Sequence, residues 1–106
     1  TGMSDGTYPL GKFRVTVKDG VCRNDEGKMA GSTLTLDRAL RFVVALGVPF
    51  AEAVKMVTIQ PARRIGVAGK KGILAPGCDA DVAVLTPDLR VEAVMTRGNG
   101  LVANTR

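Results

Sequence analysis

Residues 36–66 decide the class of fold, and they read LDRALRFVVALGVPFAEAVKMVTIQPARRIG. Apolar residues recur there twice at the spacing i, i+3, i+4, i+7, which marks one face of a helix. They are Leu36, Ala39, Leu40 and Val43, and then Phe50, Ala53, Val54 and Val57. Gly47 and Pro49 stand between the two sets, where one helix is expected to end and another to begin. The sequence predicts two helices joined by a short link, with Pro61 ending the second or opening a short third helix at residues 62–65.

Strand patterns lie on both sides of the helices. Residues 12–18, KFRVTVK, alternate polar and apolar side chains with the period of a half-buried strand. The pair at residues 19–20, Asp-Gly, favours a hairpin turn, so the chain should return through residues 21–23. Three further strands are predicted after the helices, at residues 81–85, 89–96 and 101–103, the last two separated by a turn at 97–100. The order of strands, helices and strands predicts an α/β chain.

Composition and charge limit the classes of protein. The 106 residues are 45% hydrophobic and 24% charged, which is the balance of a folded globular domain. The net charge of +5 would suit nucleic acid, but basic residues are scattered and only 4% of residues are aromatic. Base-stacking platforms are therefore scarce, and we expect no nucleic-acid partner. The longest apolar stretch, residues 42–51, is about half the ~20 residues that span a bilayer, so we expect no membrane partner.

Catalytic chemistry has few candidate residues. Histidine is absent, so this chain cannot supply a His-based general base, triad or metal site. Cys22 and Cys78 are too few for a disulfide framework or a Cys-rich metal site. We favour two thiols in a reducing compartment, and a single disulfide is the alternative.

Two groups of charged residues allow a functional and a structural interpretation. Asp79 and Asp81 would face one side of a strand, where two carboxylates can hold a divalent cation or share a proton. The interpretation we favour is a solvated loop before a strand. The basic pairs at residues 63–64 and 70–71 could hold a phosphate, and here too we favour a solvated surface.

Residues 29–33, MAGST, form a third candidate site. Gly31 would let a ligand approach the backbone, and a helix N-terminus just beyond would present unpaired N–H groups. That arrangement suits an anion or a sugar hydroxyl. The alternative is a helix cap alone, for which Ser32, Thr33 and Thr35 are candidates.

Three blocks of sequence together resemble a known family. Residues 29–37, MAGSTLTLD, resemble the AGSxLTxD signature of N-acetylglucosamine-6-phosphate deacetylases. Residues 58–66, TIQPARRIG, are similar to the T-x-N-P-A-R-x-x-G block of the wider amidohydrolase superfamily. Residues 71–85, KGILAPGCDADVAVL, look like its K/R-G-x-I-x-P-G-x-D-A-D-x-V-V-L block. The segments at 6–11 and 15–19 also fit the deacetylase pattern, so the similarity covers almost the whole chain in order. The departures are small, and they are Gln60 for the usual asparagine and Cys78 at the variable position.

The resemblance implies a division of the fold. Residues 1–66 would be the last segment of a (β/α)8 amidohydrolase barrel, with a β-hairpin insertion and two to three helices. Residues 67–106 would be strands of the small C-terminal β-sandwich. By analogy, residues 36–46 and 50–59 would be the last barrel helix and a following one, and residues 81–102 the sandwich strands.

The resemblance also implies a reaction. The family hydrolyses N-acetylglucosamine 6-phosphate to glucosamine 6-phosphate and acetate, in cytoplasmic amino sugar metabolism. A divalent metal, zinc or similar, polarises the carbonyl and activates the attacking water, and an Asp shuttles the proton. The family's metal ligands and this Asp precede the region that the chain matches, which implies no catalytic and no metal residue here. The ligand contact that does transfer is Met29, Ala30, Gly31 and Ser32, which line the sugar-phosphate site in relatives.

Two hypotheses follow for the whole protein. In the first, the chain is the C-terminal piece of a deacetylase and is inactive alone. Its partners would be the sugar phosphate, the missing N-terminal portion of the same protein, and further copies in a homo-oligomer. In the second, it is a standalone non-catalytic module that binds a sugar phosphate or a protein. An HxH motif far upstream would favour the enzyme, and a nearby start codon the module.

Association is expected if the chain stands alone. Without the rest of a barrel, we expect the apolar faces of Leu40, Val43, Val54 and Val57 to lack partners. Exposed patches of that kind drive association, so we predict self-assembly or a noncovalent complex with the missing portion.

Overall fold

The computed structural model describes residues 1–103 of the chain. Strands come first, helices follow and strands come last, in the predicted order. The chain forms two compact units, of which the first is Thr1–Thr35 and the second begins at Leu36. The division predicted between residues 66 and 67 concerns a barrel and a sandwich domain, and it stays a prediction.

The first unit contains a three-stranded antiparallel sheet. Its strands, in sheet order, are β1 (Gly6–Leu10), β2 (Phe13–Lys18) and β3 (Val21–Asn24). The predicted hairpin is confirmed, since Lys18 pairs with Val21 across a two-residue turn. Asp19 and Gly20 have φ of 51° and 75°, and positive φ at both central residues matches the twist of hairpin strands.

Strand β1 has no counterpart in the sequence prediction, which places a hairpin at residues 12–23 only. It pairs with β2 along its whole length, and Pro9 lies opposite Arg14. Gly6 and Pro9 lower the strand propensity of this segment, and Pro9 has no backbone N–H to donate. An edge strand tolerates a proline because one side of its backbone has no neighbouring strand. Pairing with β2, and not local composition, makes this segment a strand.

The core of the first unit lies on one face of this sheet. Val15, Val17 and Cys22 are buried, and Tyr8 and Ala30 pack against them. Alternation along β2 places both valines on that face, and the register of the turn places Cys22 opposite Val17. Ala30 belongs to the segment after β3, so the core also fixes a residue outside the sheet.

The second unit begins with three helices. They are α1 (Leu36–Ala45), α2 (Phe50–Val57) and α3 (Ile59–Arg64). Gly47 ends α1 as predicted, because its φ of 94° turns the following chain out of the helix. Its N–H donates to Val44 O at 2.9 Å. Val48 then donates to Val43 O at 3.3 Å. These two bonds form the left-handed glycine cap that closes the last helical turn.

The short third helix is confirmed, and it begins earlier than predicted. Thr58 has φ of −125° and ψ of −91°, a non-helical conformation that interrupts the chain before Pro61 is reached. Pro61 therefore lies in the first turn of α3. Its missing N–H is no loss there, because the first helical N–H groups have no intrahelical partner.

The expectation that Leu40, Val43, Val54 and Val57 lack partners is wrong. Leu40 is only 5% exposed and the other three are half-buried, because α1 packs on α2 and α2 on α3. A different set of large apolar side chains is exposed in this region. They are Leu36, Phe42, Leu46, Phe50, Met56 and Ile65. Helical periodicity identifies an apolar face, but it does not say which neighbour covers that face.

A second antiparallel sheet follows the helices. Its strands, in sheet order, are β4 (Val82–Leu85), β5 (Val91–Thr96) and β6 (Asn99–Ala103). The strand predicted at residues 89–96 begins later, because Leu89 has φ of 60° and donates its N–H to Thr86 O at 2.9 Å within the turn. The predicted turn at 97–100 is also shorter. Its positive-φ residues are Arg97 and Gly98, and Asn99 already belongs to β6.

The fold is therefore α/β with two small antiparallel sheets, which confirms the coarse part of the prediction. The assignment of α1 and α2 to the end of a (β/α)8 barrel stays a prediction. So does the assignment of β4, β5 and β6 to a β-sandwich.

Candidate functional site

The candidate substrate loop, defined as Met29, Ala30, Gly31 and Ser32, lies along the edge of β3. A tight turn brings it there: Asn24 Oδ1 accepts the N–H groups of Glu26 at 3.1 Å and Lys28 at 2.9 Å. The chain reverses over these residues, so that Met29 forms an antiparallel bridge with Arg23. The sheet therefore positions the start of the loop directly.

The middle of the loop is fixed through Ala30. Its N–H donates to Cys22 O at 2.9 Å, and its carbonyl oxygen accepts the Cys22 thiol at 3.1 Å. Ala30 is half-buried and packs against the core of the first unit. Both polar backbone groups and the side chain of Ala30 are thus held by the hairpin.

The end of the loop is fixed by hydroxyl and backbone groups. Thr33 Oγ1 donates to Gly20 O in the hairpin turn. Ser32 O accepts Thr1 Oγ1 at 3.3 Å, and Ser32 Oγ accepts the Leu34 N–H at 3.0 Å. The hydroxyls of Ser32 and Thr33, predicted as candidate helix caps, thus bond within the first unit.

The remaining loop residues face outward. The Met29 side chain is 76% exposed, and Ser32 is also exposed. Gly31 has φ of 112°, and apart from its chain neighbours no described atom lies within 4 Å of where a Cβ would stand. Only glycine adopts that backbone conformation without strain. The backbone of Gly31 is therefore open where a Cβ would stand, and contact of a ligand with it stays a prediction.

The start of α1 was expected to add partial positive charge for an anion. Asp37 occupies the first turn of α1, and its carboxylate pairs with Arg41 Nη1 at 2.9 Å. A carboxylate in the first turn already interacts favourably with the helix dipole and lowers its attraction for an added anion. Arg41 also donates to Leu89 O at 2.8 Å, which connects α1 to the β4–β5 turn.

Asp79 and Asp81 both form ion pairs with the side chain of Lys71. Lys71 Nζ lies 2.9 Å from Asp79 Oδ2 and 2.5 Å from Asp81 Oδ2, and Asp81 Oδ1 accepts the Arg97 N–H at 2.9 Å. The hydrogen bond from Lys71, followed by that from Arg97, lowers the pKa of Asp81. The hydrogen bonds to Asp81 and Asp79 raise the pKa of Lys71. This arrangement, the Lys71 clasp, is structural and agrees with the interpretation that we favoured for the aspartates.

The Lys71 clasp also bears on the basic residues proposed to hold a phosphate. Because Lys71 is occupied by two carboxylates, the pairs at residues 63–64 and 70–71 do not act as one cluster of four free cations. The solvated-surface interpretation is the one that the contacts favour.

Metal-ligating side chains do not converge in the part of the chain that the structure describes. Within residues 1–103 no group of three or more His, Cys, Asp or Glu side chains could hold a metal ion. The aspartate pair does not fit a divalent cation, because the Lys71 ammonium already lies between the carboxylates. Cys22 and Cys78 are both free thiols, as predicted. That the metal ligands lie outside this chain stays a prediction.

Among residues 1–103, no helix combines the length and the apolar character needed to cross a bilayer.

Comparisons with known proteins define the class. The sequence model of the amidohydrolase family matches residues 9–101, and the chain belongs to that family. Its homologues include sugar-phosphate deacetylases. The chain is 44% identical over 98 residues to the N-acetylgalactosamine-6-phosphate deacetylase of Escherichia coli O157:H7. It is 36% identical over 99 residues to the N-acetylglucosamine-6-phosphate deacetylase of Vibrio furnissii.

Solved structures agree with this class. N-acetylglucosamine-6-phosphate deacetylase from Pasteurella multocida matches with a TM-score of 0.86 at 28% identity, over 96% of this chain and 27% of that one. The enzyme from Mycobacterium smegmatis, in complex with N-acetyl-D-glucosamine-6-phosphate, matches with a TM-score of 0.81 at 40% identity, over 98% of this chain and 28% of that one. The matches to the two curated relatives cover 92% of this chain, and they cover 26% and 25% of the relatives' own length. The chain thus spans about a quarter of each of these relatives.

Sequence reasoning identified the loop but missed the residues that hold it. The sequence predicts Cys22 only as a thiol in the returning strand of the hairpin, and Gly20 only as a turn residue. The signal was present in the hairpin: a two-residue turn at residues 19–20 fixes the register and places Cys22 opposite Val17, on the core face. The bond of Thr33 to Gly20 joins residues 13 positions apart, and no local pattern predicts such a bond.

Proposed function

We propose that this chain is part of a metal-dependent deacetylase that hydrolyses N-acetylglucosamine 6-phosphate to glucosamine 6-phosphate and acetate. The observation that carries the proposal is the loop at residues 29–32, whose AGS block matches the deacetylase signature and which the hairpin holds with Gly31 open. The family membership and the names of the relatives support the same reaction.

Met29, Ala30, Gly31 and Ser32 contact the sugar phosphate in this proposal. Ala30 is anchored through both of its backbone groups. The open Gly31 backbone and the proton of the Ser32 hydroxyl, whose oxygen accepts the Leu34 N–H, are available to the ligand. An exposed backbone at Gly31 and a hydroxyl at Ser32 suit a substrate rich in hydroxyl and phosphate oxygens. The rest of the chain supports this wall of the site and supplies none of the proton-transfer chemistry.

The divalent metal and the catalytic carboxylate of the family are provided by the missing N-terminal portion of the same protein in this proposal. When bound, such a metal activates a water and polarises the acetamide carbonyl. The described residues of this chain do not fit it, so none of them is assigned a step in the hydrolysis. A cytoplasmic homo-oligomer belongs to the same proposal.

The test compares two proteins in one acetate-release assay. The natural full-length protein should release acetate from N-acetylglucosamine 6-phosphate, and the 106-residue chain with added zinc should release none. Turnover by the chain alone would overturn the assignment of the catalytic groups to the missing portion. Absence of turnover by the full-length protein would overturn the proposed reaction.

A second candidate substrate is N-acetylgalactosamine 6-phosphate, the epimer at the sugar C4. The identity of 44% to an N-acetylgalactosamine-6-phosphate deacetylase exceeds the 36% to the Vibrio furnissii enzyme. The same assay, run with both epimers, decides between them: the preferred substrate has the larger kcat/KM. Tight binding of either sugar phosphate to the 106-residue chain alone would instead favour the non-catalytic binding module.

A further inference from the structure

Besides the bridge of Met29 to Arg23, two contacts made by side chains fasten the candidate substrate loop to the hairpin of β2 and β3. One lies at the middle of the loop and one just after its end. At the first contact, Cys22 bonds both backbone groups of Ala30, through its carbonyl oxygen at 2.9 Å and its thiol at 3.1 Å. At the second contact, the Thr33 hydroxyl donates to Gly20 O in the hairpin turn. Gly31 lies between the two contacts, with an open backbone and φ of 112°.

The burial of the Cys22 side chain makes the contact between Cys22 and Ala30 rigid. Cys22 is 9% exposed and lies in one cluster with Val15 and Val17, so its thiol cannot rotate away without disturbing the core. A glycine in the left-handed region has wide conformational freedom in the absence of such constraints. If the Gly31 backbone became ordered only when a ligand binds, the affinity would be lower, because the loss of conformational entropy would oppose binding.

Resting on the proposed function, we propose that Cys22 and Thr33 are positioning residues for sugar-phosphate binding. Neither touches the substrate. Cys22 acts through Ala30, and Thr33 acts through the turn at Gly20, and together they hold the Gly31 backbone in the geometry in which it meets the ligand. The hairpin is thus a platform for the loop, and its two side-chain contacts set the affinity for substrate.

The test uses substitutions in the natural full-length protein. Cys22→Ala removes the thiol donor, and Thr33→Val removes the hydroxyl while it keeps the shape of the side chain. Each should raise KM about fivefold, the factor that corresponds to one net hydrogen bond, with kcat changed less than about twofold. A merely structural role would instead lower the folded fraction, and therefore kcat, with KM unchanged.

Two matched variants serve as controls. Cys78→Ala removes the other thiol, whose Sγ lies 3.8 Å from Gly69 O, and Thr33→Ser keeps the hydroxyl. Cys78→Ala should show the wild-type KM, and Thr33→Ser should restore most of the affinity that Thr33→Val loses. A Thr33→Ser variant as impaired as Thr33→Val would overturn the role of the hydroxyl.

Amide hydrogen exchange on the 106-residue chain gives a readout that needs no activity. The Ala30 N–H should exchange faster in Cys22→Ala and Thr33→Val than in the wild type, and the amides of β2 should change less. Either an unchanged KM in an active protein or unchanged Ala30 exchange in both variants would overturn the positioning role. If the full-length wild type hydrolyses neither epimer, the proposed function fails and the catalytic meaning of the platform fails with it. The exchange data then show separately whether the hairpin fixes the loop.

Discussion

At the scale of single residues, the Lys71 clasp explains how two neighbouring aspartates can lie on one side of the chain. The spacing of Asp79 and Asp81 predicts a common face. Their mutual repulsion is offset by one ammonium group that contacts both carboxylates. The side chains of Lys71 and Asp81 are 36% and 35% exposed, so water and salt screen the interaction without abolishing it.

Replacing Lys71 by Met should lower the thermal unfolding midpoint at neutral pH. The two carboxylates would then face each other without a cation, and like charges close together destabilise the fold. The midpoint can be measured by circular dichroism. Lys70→Met is the control because it removes an equal charge beside the clasp, and it should leave the midpoint nearly unchanged. Equal effects of both substitutions would show that the clasp contributes nothing specific.

The stability of the wild type and that of Lys71→Met should depend differently on pH. Because the folded pKa of Asp81 is lowered from 3.8, its contribution is present above pH 3.8 and is lost as the pH falls through the lowered folded value. Because the pKa of Lys71 is raised from 10.5, its contribution is present below pH 10.5 and is lost as the pH rises through the raised value. The difference in thermal unfolding midpoint between wild type and Lys71→Met should therefore be largest between these two pH limits. It should become smaller below the lower limit and above the upper one.

At the scale of elements, the helices show that apolar periodicity predicts where helices form but not which elements pack against them. The periodic positions of α1 and α2 are apolar as predicted, and Gly47 ends α1 where the sequence places its end. Part of the apolar face is covered from within the chain, because α1 packs on α2. Ala53 in α2 and Ala62 in α3 are buried, and such small side chains let helices approach closely.

Leu40→Ala should lower the free energy of unfolding by about 2–4 kcal/mol, the range for removing a buried leucine side chain and leaving a cavity. Leu46→Ala, one residue beyond the end of α1, is the matched control, since Leu46 is 69% exposed whereas Leu40 is 5% exposed. We expect the control to change stability by less than about 0.5 kcal/mol. Urea unfolding of both variants measures the difference, and equal effects would contradict the packing of α1 on α2.

At the scale of the whole molecule, the chain spans about a quarter of the length of its relatives and still forms a core of its own. Packing within the chain buries Leu40 and half-buries the other three positions that we expected to lack partners. Six other large apolar side chains of the helical region remain more than about a third exposed. A surface of that kind favours association. The residues that would drive association therefore differ from those predicted, and association itself stays a prediction.

The 106-residue chain should elute from size exclusion as a species larger than its monomer mass of 11.1 kDa. Leu46→Lys combined with Ile65→Lys should shift it towards the monomer, because both side chains are exposed, at 69% and 74%. Gln60→Lys adds a charge at an exposed site without removing apolar surface, and it should not shift the elution. A wild-type chain that elutes as a monomer at all concentrations would contradict association through this surface.

The sequence by itself determined the features that a few adjacent residues encode. The hairpin of β2 and β3 follows from alternation around Asp19 and Gly20, and the end of α1 follows from Gly47, because these residues set their own backbone dihedrals. The AGS block likewise predicted a loop with an open glycine.

Only the tertiary structure decided which distant segments meet. It made a strand of residues 6–10 despite Pro9, covered Leu40 from within the chain, and joined Cys22 and Gly20 to the loop. Each of these depends on a partner many residues away, and the free energy of such a contact comes from burial and pairing that neither segment has alone. Local sequence sets the conformations that a segment can adopt, and the partner selects one of them.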